Sequence, residues 1–427
     1  MGAPDAASGR VRSTLVTTGR AGTPARARLR ITEPFDTSVR RGTPLLWATG
    51  AGDDRSALLG WGERFRATAS GPTRFADLAA AFRTFVTRTA DVSANHHDLR
   101  DLLAFVTVTF AADSAAASTL IVPATLGRWH DGVLSVPGDA ALPEPGESAE
   151  FPELDLRPGR LSREGFRRAV AAAVQRIGAG ELDKVVLARD LEALAVDPLD
   201  VTAVLARLAD ANPNAWTFHI DGLLGASPEM LVAVRAGRVR SQVLAGSAPI
   251  SGDPDADAAA EAALLRSTKD AAEHRYAAHS VAARLAAVAD VTTDGPRIVR
   301  LPRIMHLATD IEGVLSAAHS SALDLAGLVH PSAAVCGTPT DAAATLLAEL
   351  EGFDRGRYAG PVGWVDARGE GEFAIALRCG QLSPDACSVR LFAGGGIVAA
   401  SVPNTELAET AQKFLPMYDA LSPVARP

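Results

Sequence analysis

What this chain of 427 residues lacks narrows its chemistry before any motif is read. Its three cysteines, Cys336, Cys379 and Cys387, are too few and too irregularly spaced for a disulfide framework or a zinc site. They read as reduced thiols, the state expected in the cytoplasm. An excess of basic residues is also missing. Lys and Arg number 42 against 50 Asp and Glu, a formal net charge of -8 with a pI near 5.6. A nucleic acid or an anionic membrane needs a cationic footprint, so neither is expected as a partner. No apolar run approaches the roughly 18 residues of a membrane span, and no basic stretch followed by an apolar one opens the chain. A short fixed repeat is absent too, which excludes a solenoid. Aromatics are scarce at 5%, yet hydrophobic residues at 47% and charged residues at 22% are those of a globular chain with ample core.

Along the chain, residues 1 to about 28 are rich in Gly, Ala, Ser, Thr and Arg without apolar periodicity and read as a mobile leader. From 29 to 158, short β-prone runs such as Leu103–Phe110 and Leu120–Val122 alternate with turn-forming stretches. This interval closes on "PGDAALPEPGESAEFPELDLRP" (137–158), which reads as a linker or long surface loop. Ser162 is a candidate N-cap for a helix with Phe166, Ala169, Val170, Val174 and Ile177 on one face, and a strand Lys184–Ala188 comes after it. An alanine-rich stretch from about Asp255 to Val288, free of Gly and Pro, predicts one long helix. Strand-like runs at Ile298–Leu301, Val362–Val365, Phe373–Arg378 and Ser388–Phe392 precede a final helix over Asn404–Leu421. Helices and strands mixed without strict βαβ alternation predict an α+β fold.

Two helical segments carry acids at spacings that place them on one face. "STKDAAEHRYAAHS" sets Asp270, Glu273 and His274 at i, i+3 and i+4, and "NTELAETAQKF" sets Glu406 three residues before Glu409, with Lys413 four further on. Alone, each pair reads as a solvated helix face. Oxygen-rich, sulfur-free donors of this kind would suit magnesium, which accepts one or two carboxylates and keeps several waters. In "RLFAGGGIVAAS", Gly394, Gly395 and Gly396 lack β-carbons that would keep an anion from the backbone, although a tight turn explains the run equally well. Lys184 opens an apolar strand and Glu229 comes after a Ser-Pro turn; either is an ordinary charge unless its surroundings shift its pKa. His306, His330 and the His96–His97 pair read as structural or solvated histidines.

Nine segments in order over about residues 160–421 resemble the chorismate-utilising family of isochorismate, salicylate, anthranilate and aminodeoxychorismate synthases. They are "LDKVVLAR", "GASPEML", "LAGS", "KDAAEH", "MHLATDIEG", "HPSAAVCGTP", "GEGEFAIALRCG", "FAGGGIVAAS" and "ELAETAQKF". The resemblance implies a large αββα sandwich, its N-terminal half over 29–158 and a chorismate-binding region over 159–423. It also implies a magnesium ion held directly by Glu273 and Glu409, with Asp270 and Glu406 reaching it through water. Arg378 matches the arginine that grips the enolpyruvyl carboxylate, as a bidentate donor can. Gly394 and Gly395 match amide donors, Lys413 a nearby cation, Gly246 and Ser247 the substrate-side turn, and His306 the pocket histidine.

Within the family, Lys184 matches the base of the water-using members. Ala245 stands where aminodeoxychorismate synthases carry a nucleophilic lysine, which removes that reaction. The expected activity is therefore isomerisation of chorismate to isochorismate, with Lys184 as base and Glu229 as acid, feeding menaquinone or siderophore synthesis. Salicylate synthase is the alternative, anthranilate synthase component I a more distant one, and a non-catalytic scaffold is disfavoured by Lys184, Glu229, Glu273 and Glu409 together. No glutaminase subunit is expected, and the pattern is compatible with a monomer. Two departures bear on substrate preference: "AGSAPISG" in place of a form with Thr and basic residues, and Gly395 where Ala is frequent.

Overall fold

The computed structural model describes residues 26–30, 44–50, 54–92, 102–138, 140, 151–316 and 321–422. Their strands form two antiparallel sheets, one of twelve strands and one of nine. Runs such as Leu103–Thr107 and Ser118–Val122 are buried along their whole length, because they lie inside a stack with covered faces. Helices Arg163–Gly178, Val201–Ala211, Thr340–Glu351 and Pro403–Leu421 pack on the larger sheet. Helices Arg74–Val92, Pro254–Arg266, Thr268–Leu285 and Ala322–Val329 pack on the smaller one. The result is the α+β, helix–sheet–sheet–helix sandwich. Its core includes Phe105, Phe218 and Phe373, all fully buried, each contributing about 2–3 kcal/mol of transfer free energy.

Both sheets interleave strands from before and after residue 150. Leu45–Thr49 lies between Ser56–Trp61 and Trp216–Ile220, while Leu103–Thr107 lies between Ser118–Val122 and Pro361–Asp366.

Three local expectations are corrected. The Asp255–Val288 stretch is two helices, Pro254–Arg266 and Thr268–Leu285, because the Ser267 side chain turns back to accept a hydrogen bond from the Asp270 N–H and caps a new helix. The supposed linker ends in a strand, Leu154–Pro158, paired with Lys184–Ala195; its Pro158 sits at the strand end, where a missing N–H costs little. Residues 1–25 and the pair His96–His97 lie outside the described residues, but strand Arg26–Arg30 pairs with Val133–Pro137, so residues 26–28, expected in the leader, belong to the sheet. The helix expected after Ser162 runs Arg163–Gly178 with that serine as its N-cap.

Candidate active site

The two sheets and two of the helices converge on one cavity of about 70 Å³, lined among others by Glu229, Gly246, Ser247, Glu273, His306, Arg378, Gly394, Gly395, Glu409 and Lys413. Residues widely separated in sequence are thus brought together. A larger cleft of about 360 Å³ adjoins it and shares Pro228, Arg378 and Lys413.

The floor is strand Ser388–Ile397, antiparallel to Lys184–Ala195 with Val186 opposite Gly396, Leu187 opposite Gly395 and Ala188 opposite Gly394. On its other side, pairing with Cys379–Leu382 stops at Leu391, so the glycine segment has no second strand neighbour among the described residues. Each glycine admits a different part of the site. A β-carbon on Gly396 would stand 2.2 Å from Glu273 Oε1 and 3.0 Å from Lys184 Cε. One on Gly395 would lie 3.5 Å from Glu406 Oε2 and 3.7 Å from Glu409 Oε1, which is ordinary contact. One on Gly394 would meet the Tyr358 hydroxyl at 3.1 Å.

The acids meet lysines in pairs. Lys184, fully buried, places Nζ 3.3 Å from Glu273 Oε1, yet no acceptor is aligned to take a hydrogen bond from that nitrogen. Lys413 Nζ contacts Glu409 Oε1 at 2.5 Å and donates to the Gly394 carbonyl at 2.9 Å. Lys269 donates to Glu406 Oε1 at 3.0 Å, while Glu406 Oε2 is buried without a hydrogen-bond partner. Burial would raise the Glu409 pKa, but Lys413 beside it holds the carboxyl below its usual range. Burial prevails at Glu406 and pushes it up despite Lys269. Burial would lower Lys269, yet Glu406 and the neighbouring acids hold it above the ordinary lysine value. With the acids so engaged, no three ligating side chains form a ready cation cage among the described residues. Asp270, in the first turn of its helix, backs onto Gly246, whose φ of +74° sits at the bulge between Ala245 and Ser247. Across that bulge Ser247 pairs with His306, and its hydroxyl lies 3.5 Å from Glu409 Oε1.

Glu229 occupies the short link between strands Leu223–Ser227 and Met230–Arg235. It is 5% exposed, and its side chain accepts a long 3.4 Å bond from the Leu244 N–H. Burial pushes its pKa up to about 7, against the opposing pull of that N–H and of Lys184, Arg378 and Lys413. His306 is driven down to about 3 by burial and by Arg378 and Lys413, so it is a neutral imidazole, and its Nδ1 has no partner. Arg378 holds a φ of +48°, a conformation costing about 1–3 kcal/mol for a side chain of its kind, and faces the cavity.

Sequence reasoning passed over three groups. Tyr358 is buried and stacks on Phe392 at 4.9 Å, and burial pushes its phenol up so that it remains a protonated donor. Arg355 lines the cavity and bonds the carbonyls of Val186 and Val335 at 2.6 and 2.9 Å, bracing the Lys184 strand. The glycine-flanked "RGRYAGPVG" was the available signal for both. Lys269, adjacent to Asp270, was the third.

A cluster of carboxylates set among cations beside open backbone is the arrangement a polyanionic small molecule and a hard cation would share. Residues 144–422 match the chorismate binding enzyme family, and the chain belongs to it. Among its relatives, a putative isochorismate synthase of Mycobacterium tuberculosis is 40% identical over 356 residues, 78% of this chain and 91% of that protein. Isochorismate synthase DhbC of Bacillus subtilis is 36% identical over 322 residues, 72% and 78% of the two chains. The crystal structure of a putative 2,3-dihydroxybenzoate-specific isochorismate synthase from Bacillus anthracis superposes with a TM-score of 0.75 at 28% identity, covering 91% of this chain and 97% of that one.

Proposed function

We propose that this chain is an isochorismate synthase, an isomerase that converts chorismate to isochorismate. The observation that carries the reading is Glu229, a carboxyl buried in the cavity and poised to hold its proton near neutral pH, within the field of Lys184. Relatives named isochorismate synthases, at up to 40% identity over most of both chains, point the same way.

In this reading Arg378 and Lys413 receive the substrate carboxylates, Arg378 as a bidentate fork, which explains how an acidic protein holds a dianion. The Gly394 amide adds a donor where the strand has no second neighbour, whereas Gly395, alternating with it along the strand, turns its amide toward Leu187 in the ladder, which corrects the expectation that both serve as donors. Lys184 removes a proton from the water that bonds to ring carbon 2, and Glu229 gives its proton to the departing carbon-4 hydroxyl, which leaves as water while the double bond shifts. The water gained and the water lost balance. Ala245 offers no amine for covalent attack and Lys184 stands as the base for water, so neither a lysine adduct nor a glutaminase subunit enters the scheme. His306 and Ser247 shape the substrate-side wall.

Enzymes of this family need a divalent metal. An all-oxygen donor set suits magnesium in particular: Glu273 and Glu409 as direct ligands, Asp270 and Glu406 through water. When bound, the cation would supply the counter-charge that orients the ring carboxylate. Among the described residues no helix is long and apolar enough to cross a membrane, and the reduced cysteines suit a cytoplasmic enzyme.

The test is product identification from purified protein, chorismate and magnesium by chromatography. Isochorismate alone is expected. Salicylate as the main product would reassign the chain to the pyruvate-eliminating branch, and anthranilate formed with ammonium would overturn water as the nucleophile.

A further inference from the structure

The three lysines that pair with the site's acids differ in one respect. Lys184 is fully buried and Lys413 is 12% exposed and tied to the Gly394 carbonyl, so neither side-chain nitrogen has another place to go. Lys269 is 29% exposed and stands in the first turn of its helix, while its partner Glu406 is only 1% exposed. A solvent route is therefore open to Lys269 alone of the three. Its ammonium is also the charged group that compensates a buried carboxylate otherwise met by the Ser401 hydroxyl. An unpaired charge there would be costly, and the Lys269 ammonium, 3.0 Å from Oε1, supplies the counter-charge.

We propose that Lys269 is a tethered stand-in for the metal: its ammonium neutralises Glu406 while the site holds no divalent cation, and swings to solvent when one enters. Metal and lysine then compete for one carboxylate, and Lys269 is a positioning residue that sets the affinity for the cation. The same exchange keeps the acids from repelling one another in the empty enzyme, which would otherwise spring Glu406 and Glu409 apart. The inference rests on the metal site proposed above.

Magnesium binding to the full-length protein, measured by calorimetry without chorismate, and manganese binding followed by electron paramagnetic resonance test it. Lys269→Met removes the competitor and should tighten both by roughly ten- to hundredfold, the range of one charge-assisted hydrogen bond. It should also lower the melting temperature of the metal-free protein and enlarge the rise that magnesium produces. Unchanged or weaker metal binding in Lys269→Met overturns the proposal, since a lysine that merely orients Glu406 would help the metal. Should that variant fail to fold, the wild-type protein answers alone. Amine labelling with mass-spectrometric readout should show Lys269 more reactive on saturation with magnesium, and equal or lower reactivity would refute the exchange. Wild-type protein that binds neither ion, with or without chorismate, would instead remove the metal site itself.

Discussion

Replacing Glu229 by Gln tests the acid in isolation. The amide has the shape of the protonated carboxyl and its oxygen can still accept from the Leu244 N–H at 3.4 Å, so only the transferable proton is lost. Loss of a general acid costs about 10² to 10⁴ in turnover, and the Michaelis constant should move little because Glu229 is assigned no carboxylate to hold. Wild-type turnover should fall as pH rises through about 7, where Glu229 ionises, and the variant's residual activity should lack that limb. Stability supplies an independent readout. A carboxyl moved from 4.5 to about 7 in the folded state corresponds to roughly 3 kcal/mol of bias against its charged form. The folded protein then holds the proton that the unfolded chain releases, so stability is full below pH 4.5 and is lost progressively until pH passes about 7. Glu229→Gln cannot ionise, and its advantage over the wild type should grow from near zero at pH 4.5 to as much as about 3 kcal/mol above pH 7. Turnover would be measured by chromatographic resolution of the two isomers at saturating chorismate, and stability by denaturant titration at several pH values. Turnover within tenfold of wild type would refute the acid assignment, and parallel stability curves would refute the burial argument beneath it.

Lys184→Ala should also lose about 10² to 10⁴ in turnover, and combining it with the Glu229 change should cost less than the product of the two if attack and protonation are concerted. Steady-state kinetics of the single and double variants decide this. Arg378→Ala, by contrast, should chiefly raise the Michaelis constant, since it removes a carboxylate grip. Stripping divalent cations with a chelator should abolish turnover and added magnesium restore it; full activity in metal-free buffer would contradict the ligand assignment. Gly395→Ala should leave melting temperature and turnover close to wild type, because its new methyl makes only ordinary contacts. Gly396→Ala should fold but lose activity, since its methyl would displace the Glu273 carboxylate.

Much of the cavity lining of the candidate site was legible in the sequence, and the parts that were not have physical causes. Acids at i and i+3 and a lysine at i+4 are local geometry, so the pairing of Lys413 with Glu409 could be anticipated. Lys269 and Glu406 lie 137 residues apart, and no local pattern marks a contact that only the packing of two helices creates. The helix break at Ser267 hid because alanine-rich flanks dominate propensity there, although Ser267 with Asp270 three residues on has the form of a capping signal. The raised pKa of Glu229 and the buried, unpartnered Nζ of Lys184 arise from burial, which a sequence does not display. Tyr358 and Arg355 were missed for the same reason: a turn-rich segment reads as surface until the strands beside it are placed.

The interleaving of both sheets across residue 150 bears on how the gene can be cut. The family match begins at residue 144, which invites treating the chain beyond that point as a self-sufficient unit. Such a fragment would lose Leu45–Thr49 from beside Trp216–Ile220 and Leu103–Thr107 from beside Pro361–Asp366, leaving two apolar strand edges bare at once. Unprotected edges of that kind recruit other chains, so aggregation, not a minimal enzyme, is the expected product of truncation at the match boundary. The same geometry makes the two halves candidates for reassembly as separately expressed fragments, each carrying the strands that complete the other.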